Sequence, residues 1–191
     1  EVTVSFLGAF AFARLDFYAK NLAFYLILGT LMIPPQVLML PSYLVVSDLG
    51  WLDSYAGLII PRAGGAFGVF LLRQFMLTVP TELDDAAQID GMADWRMLFR
   101  IYLPLARPAI ATNIILTFVW SWNNFIWPLI ITQDTIMRTL PLGLARFLSY
   151  FEDTSGQLYA FVIMVITPII VVFLMNQKSF ISGMMSGAVK G

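Results

Sequence analysis

Long apolar runs are what most restrict the fold of this chain. A helix crossing about 30 Å of hydrocarbon needs roughly 20 mainly apolar residues, because no water is present to satisfy its backbone N–H and C=O groups. Four stretches reach that length: 21–47, 54–77, 108–132 and 157–177, and none of them holds an Asp or Glu. A fifth, 2–13, is too short to span and reads as the end of a longer helix. Charged residues make up only 12% of the 191 residues, about half the share of a soluble domain. The expectation is an all-α integral membrane protein.

The basic residues orient the chain, since Lys and Arg near span ends favour the cytoplasm. If segment 81–104 is cytoplasmic, that side holds Arg14, Lys20, Arg73, Arg96, Arg100, Arg107, Lys178 and Lys190, eight of the eleven basic residues. Arg138 and Arg146 then lie outside and Arg62 within a span. The formal charge of −1 supplies no basic field for nucleic acid. Without Cys or His the chain lacks disulfides, thiolate nucleophiles and the usual zinc ligands. The sequence begins at Glu1 with no leader-like stretch, and is expected to be a fragment lacking its natural start.

Prolines recur in the spans at Pro34, Pro35, Pro41, Pro61, Pro128 and Pro168. They mark either kinks absorbed by packing or broken helices lining a pathway.

Segment 81–104, TELDDAAQIDGMADWRMLFRIYLP, interrupts this hydrocarbon pattern. Thr81 stands where an N-cap belongs, with Asp84 three residues on, and Glu82, Asp84 and Asp85 suit the positive end of a helix. Gly91 can end that helix in the left-handed conformation, and Asp94 can cap the next. Trp95, Leu98, Phe99 and Tyr102 recur at helical spacing and predict one apolar face. Two short helices joined at a glycine, with a small-residue surface at Ala86 and Ala87, make a stiff element or a loop packed beneath the bundle.

The spacing from Asp85, Ala86 and Ala87 through Gly91 to Ile101, Leu103 and Pro104 resembles the EAA signature of binding-protein-dependent ABC-transporter permeases. Asp85 stands where that signature has Glu, keeping the charge and shortening the reach by one methylene. IPRAGGAFGVFLLRQF (60–75), WNNFIWPL (122–129), TLPLGL (139–144) and GAVKG (187–191) are similar to stretches of the carbohydrate-uptake branch, the smaller permease subunit of maltose-type transporters.

The resemblance implies a type I ABC importer transmembrane domain, here with about four full spans and part of a fifth and without the first span. It implies that 81–104 docks on a cytoplasmic ATPase through Asp85, Ala86, Ala87 and Gly91, with Ile101, Leu103 and Pro104 tying it to the next span. The tail, at Gly187, Lys190 and Gly191, would reach the ATPase dimer interface. The implied partners are a second homologous permease subunit, two ATPase subunits, an extracytoplasmic solute-binding protein and the lipid bilayer. The implied location is a bacterial or archaeal cell membrane, crossed several times.

No phosphate-cradling GxxxxGK[ST] loop occurs, so ATP and Mg are expected in partner subunits, with no cofactor on this chain and no catalysis by it. A stand-alone secondary transporter or channel is the alternative; it would be expected to carry intramembrane carboxylates. On the pathway side, Asn123 and Asn124 among Trp120, Trp122, Phe125 and Trp127 read as interhelical glue or a sugar-binding surface. Arg62 either snorkels to the outer face or lines a cavity. In the loop 149–157, Tyr150, Glu152 and Asp153 fall where the resemblance implies binding-protein contact, or are simply solvated.

Overall fold

The computed structural model describes residues 1–150 and 155–188. Twelve helices follow one another, and no strand occurs among the described residues. In order they are α1 (Val2–Arg14), α2 (Lys20–Thr30), α3 (Pro35–Asp48), α4 (Tyr55–Ile59), α5 (Ala66–Leu77) and α6 (Glu82–Ile89). Then come α7 (Asp94–Met97), α8 (Leu103–Leu105), α9 (Arg107–Trp122), α10 (Ile126–Ile131), α11 (Leu140–Tyr150) and α12 (Ser155–Ala188). A 3-10 turn, Ile60–Arg62, extends α4, and a π-turn, Leu98–Tyr102, joins α7 to α8.

Among the described residues only Gly156–Gln177, inside α12, is by itself long and apolar enough to cross a membrane, with a mean hydropathy of 2.8. The other expected spans are each interrupted. Run 21–47 breaks between α2 and α3, where Pro35 takes the first position of α3 and each proline biases the residue before it away from helix. Run 54–77 breaks at 63–65, beyond Pro61 and at the Gly64–Gly65 pair. Run 108–132 breaks at 123–125: Pro128 has no N–H to give Asn124 and its ring crowds that carbonyl. Pro41 and Pro168, by contrast, sit inside helices.

The chain divides into two compact units, the first made of Glu1–Met32, Gly64–Thr117 and Asn176–Gly191 and the second of Ile33–Ala63 and Phe118–Met175. In the first, small residues let α1, α5 and α9 approach closely. Ser5 and Asn113 are buried, and a Cβ at Gly68 would collide with Ser5 Oγ and Asn113 Oδ1. Close approach matters because hydrocarbon gives apolar helices no hydrophobic reason to associate, leaving packing and hydrogen bonds to do it. Ser5 Oγ, on α1, donates to the Gly65 carbonyl at the start of α5 (3.3 Å), while within α9 Thr117 Oγ1 donates to Asn113 Oδ1 (3.3 Å). Next along α1 and α5, Phe6, Phe10, Leu72 and Met76 pack with Ala87, Met97, Leu98 and Tyr102 in one apolar cluster.

The second unit is centred on Trp127, Val46 and Ile131. The Trp127 indole donates to the Gly57 carbonyl at 3.1 Å. Asp53, at φ +54°, accepts the backbone N–H groups of Gln133 and Asp134 at 3.0 Å, and its own N–H donates to the Ile131 carbonyl at 2.9 Å. That carboxylate clasps the loop after α10 to the loop before α4.

Candidate functional site

The segment between α5 and α9 has the two-helix form its sequence predicts, with different local chemistry. Helix α6 ends in a Schellman motif. Gly91 lies at φ +70°, its N–H donates to the Gln88 carbonyl (2.9 Å), and the Met92 N–H donates to the Ala87 carbonyl (2.9 Å). Met92 tucks against the apolar cluster that holds Ala87, the hydrophobic contact this motif uses. Apart from its chain neighbours, no heavy atom lies within 4 Å of where a Gly91 Cβ would stand, so inside this chain the glycine is required by the backbone conformation and the space beside it is open.

The expected N-terminal caps are absent. Thr81 is already in the right-handed helical region and caps no N–H with its side chain. Asp84 turns inward instead of completing a capping box. Asp94 is the first residue of α7, behind Ala93, and makes no side-chain cap.

The expected apolar face is displaced. Met97, Leu98 and Tyr102 are buried with Ile101 partly so, while Trp95 is 61% and Phe99 52% exposed. The π-turn carries this shift, the Leu103 N–H reaching back five residues to the Leu98 carbonyl. A proline at 104 crowds the carbonyl of Arg100, and a wider turn relieves it. The Arg96 guanidinium lies over the exposed Trp95 ring at 5.1 Å.

The predicted docking residues separate by side. Asp85, Ala86 and Gly91 are exposed, whereas Ala87 is 3% exposed and belongs to the inner cluster. Asp85 and Ala86 thus form the outward surface of α6 with Gly91 at its end, and Ala87 is the foot on which the helix stands. Ile101 packs on the cluster, while Leu103 and Pro104 remain exposed.

Beneath α6 lies a polar constellation that spacing along the chain does not reveal. Arg14, the last residue of α1, pairs through Nη1 with Asp84 Oδ2 at 3.0 Å, and both side chains are largely buried. Its Nη2 donates to the carbonyls of Met76, in the last turn of α5, and Val79, in the turn before α6. The Tyr102 hydroxyl donates to Asp84 Oδ1, and the Arg14 guanidinium lies 5.2 Å from the Tyr102 ring centre. Burial, joined by the bond to Asp84, pushes the Tyr102 phenol above its ordinary pKa against the lowering pull of Arg14. The phenol therefore stays protonated and remains a donor. Among the described residues no group of three or more acids is arranged to hold a metal ion.

In the second unit the pathway candidates cluster around the break after α9. Trp122 donates its indole N–H to the Val165 carbonyl (2.9 Å) and stacks on Phe118. Asn123 Nδ2 turns back to the Val119 carbonyl (2.8 Å), and Asn124 Oδ1 accepts the Trp127 N–H (3.4 Å). Arg62 lies over the Trp127 ring at 5.7 Å and is exposed. Tyr150 is the last residue of α11; Glu152, Asp153, Lys190 and Gly191 lie outside the described residues, and Gly187 falls within α12.

Residues 4–179 match the sequence model of the binding-protein-dependent transport system inner membrane components. The chain belongs to that family. Relatives in it include the arabinooligosaccharides transport system permease protein AraQ of Bacillus subtilis (strain 168), 41% identical over 95% of this chain and 65% of its own length. The sn-glycerol-3-phosphate transport system permease protein UgpE of Brucella abortus (strain 2308) is 38% identical over 96% of this chain and 66% of its own. This chain thus spans just under two thirds of the length of these relatives. A crystal structure of a bacterial ABC transporter involved in the import of the acidic polysaccharide alginate superposes with a TM-score of 0.77 at 28% identity, over 93% of this chain and 69% of that one. An all-α permease fold of the inner membrane component family accounts for both the apolar spans and the polar insert between α5 and α9.

Proposed function

We propose that this protein is a permease subunit of an ATP-driven, binding-protein-dependent importer of sugars, oligosaccharides or a sugar derivative. Helices α6 and α7 dock on a cytoplasmic ATPase and pass its motion to the membrane helices. One observation carries this reading: α6 stands on a buried base while presenting an acidic, small-residue surface of Asp85 and Ala86 to the outside. A stiff element transmits displacement that a mobile loop would absorb, and alanine allows a partner backbone to come close. A second permease chain, two ATPase copies that bind ATP and Mg, and an extracytoplasmic solute-binding protein complete the assembly in a bacterial or archaeal cell membrane.

The relatives support a polyhydroxylated cargo and leave its charge open, since their names span neutral oligosaccharides and a phosphate ester. Trp122, Asn123, Asn124 and Arg62 are the pathway residues in this reading, their aromatic faces, amides and guanidinium suiting hydroxyl-rich or anionic solutes.

Because the chain has no cysteine, Ala86→Cys is a clean probe. In membranes holding the whole transporter it should cross-link to the ATPase subunit, and Gly91→Leu should abolish both the cross-link and uptake while leaving the chain in the membrane. An Ala86→Cys variant that transports normally yet never cross-links to an ATPase would refute the docking role.

A further inference from the structure

We infer that Arg14, Asp84 and Tyr102 are positioning residues: a latch that makes α6, α7 and the adjoining ends of α1 and α5 move as one body. This deepens the docking reading of α6 and rests on it. Four separate pieces of chain meet at one guanidinium. Arg14 closes α1, donates to one carbonyl in the last turn of α5 and one just past it, pairs with Asp84 on α6 and lies over Tyr102 at the end of the π-turn. Both oxygens of Asp84 are engaged, one by Arg14 and the other by the Tyr102 hydroxyl. Phe10 meets the Tyr102 ring edge-on at 5.3 Å, fixing the phenol from the α1 side.

Stability alone does not account for this arrangement. A buried ion pair loses much of its attraction to desolvation, and apolar residues of similar volume commonly hold a core as well. Arg14 also carries a cost, because its buried Nε finds no hydrogen-bond partner among the described residues. What charges add is direction. Apolar surfaces tolerate sliding over one another, whereas separating Arg14 from Asp84 strands two charges away from water. Two carbonyls contribute as well: that of Met76 in the last turn of α5, which also accepts the Val79 N–H, and that of Val79 in the turn leading to α6. Arg14 thereby ties the end of α5 to the start of α6 across the short turn at 78–81. A push on Ala86 or Asp85 consequently reaches α1 and α5 through directed bonds.

The test uses the whole transporter, reconstituted in phosphatidylethanolamine–phosphatidylglycerol vesicles, with spin labels at two exposed positions outside the docking surface, Gln74→Cys on α5 and Gln88→Cys on α6. The parent should give one narrow distance, unchanged between the nucleotide-free and the vanadate-trapped ATP states. In Arg14→Met and in Asp84→Asn the fraction in that peak should fall about fivefold or more, the low end of ordinary coupling effects. Tyr102→Phe, which keeps the packing and removes one hydrogen bond, should broaden the peak less, and Arg14→Lys should recover part of the loss.

The triple variant Arg14→Met, Asp84→Leu and Tyr102→Phe removes both charges and the buried hydroxyl that would lose its acceptor, so it should assemble and resist heat as the parent does while keeping the broadened distance. A triple variant with the parent's narrow distance would overturn the latch, because apolar packing alone would then suffice. ATPase retention in each purified complex reports on docking separately. An ATPase held by the parent but a peak unmoved by Arg14→Met defeats the latch alone; no ATPase with the parent defeats the docking reading beneath it.

Discussion

Gly91 and Arg14 represent two kinds of dependence on a single residue. At Gly91 the constraint is a backbone angle, φ +70° in open space. Gly91→Ala should therefore cost about 1–2 kcal/mol, the left-handed penalty of an L-residue, with Gly91→Asn closer to the parent because Asn tolerates that region; thermal unfolding of the purified complex measures both. The left-handed turn was legible because a helix C-terminus is a local matter, written in a few consecutive residues. Arg14 is the opposite case. Its basic character suggested only a cytoplasmic flank, and nothing near it in the chain points to Asp84, seventy positions away. The same blindness made Asp84 look like a helix cap: a carboxylate three residues after a threonine fits that role until a guanidinium from another helix claims it.

Among the helices, the π-turn Leu98–Tyr102 shows where periodicity misleads. A regular 3.6-residue repeat puts Trp95, Leu98, Phe99 and Tyr102 on one face, whereas the wider turn buries Met97, Leu98 and Tyr102. Alanine substitutions separate the two registers. Met97→Ala and Leu98→Ala should each cost about 2–5 kcal/mol as large-to-small changes in a packed core. Trp95→Ala and Phe99→Ala should stay within about 0.5 kcal/mol, as exposed positions do, unless a partner covers them in the assembled transporter; denaturation of the isolated chain in detergent reads all four. The broken spans share a cause with this turn. Composition shows that a run is apolar, and the missing N–H of Pro35 or Pro128 shows where a helix is disfavoured. Whether the helix bends around the proline or stops depends on what packs beside it: Pro41 and Pro168 sit in helices that continue.

Taken entire, the molecule is a set of apolar helices with one compact polar insert, and the basic residues predict its orientation. The bias of eight basic residues toward the side of α6 predicts opposite accessibility for two exposed positions. In intact cells that make this protein without an ATPase subunit, an impermeant thiol reagent should modify Ile136→Cys and spare Ala86→Cys, with the reverse in inside-out vesicles prepared from them. Ile136 is 84% exposed and Ala86 lies on the outer face of α6, so burial would not account for protection. Equal labelling of both from one side would invert or discard the topology.

By itself the sequence determined the solvent, the number of long apolar runs and the family, because each depends on composition or on motifs that are contiguous or evenly spaced. Tertiary structure alone decided that Ala87 is the foot of α6 while Ala86 is its surface, that Trp127 holds Gly57, and that Arg14 grips Asp84 and the end of α5. These are meetings between residues far apart in the chain. They form only when packing brings buried charges and backbone carbonyls to the same place, where each must find a partner or carry the cost of desolvation.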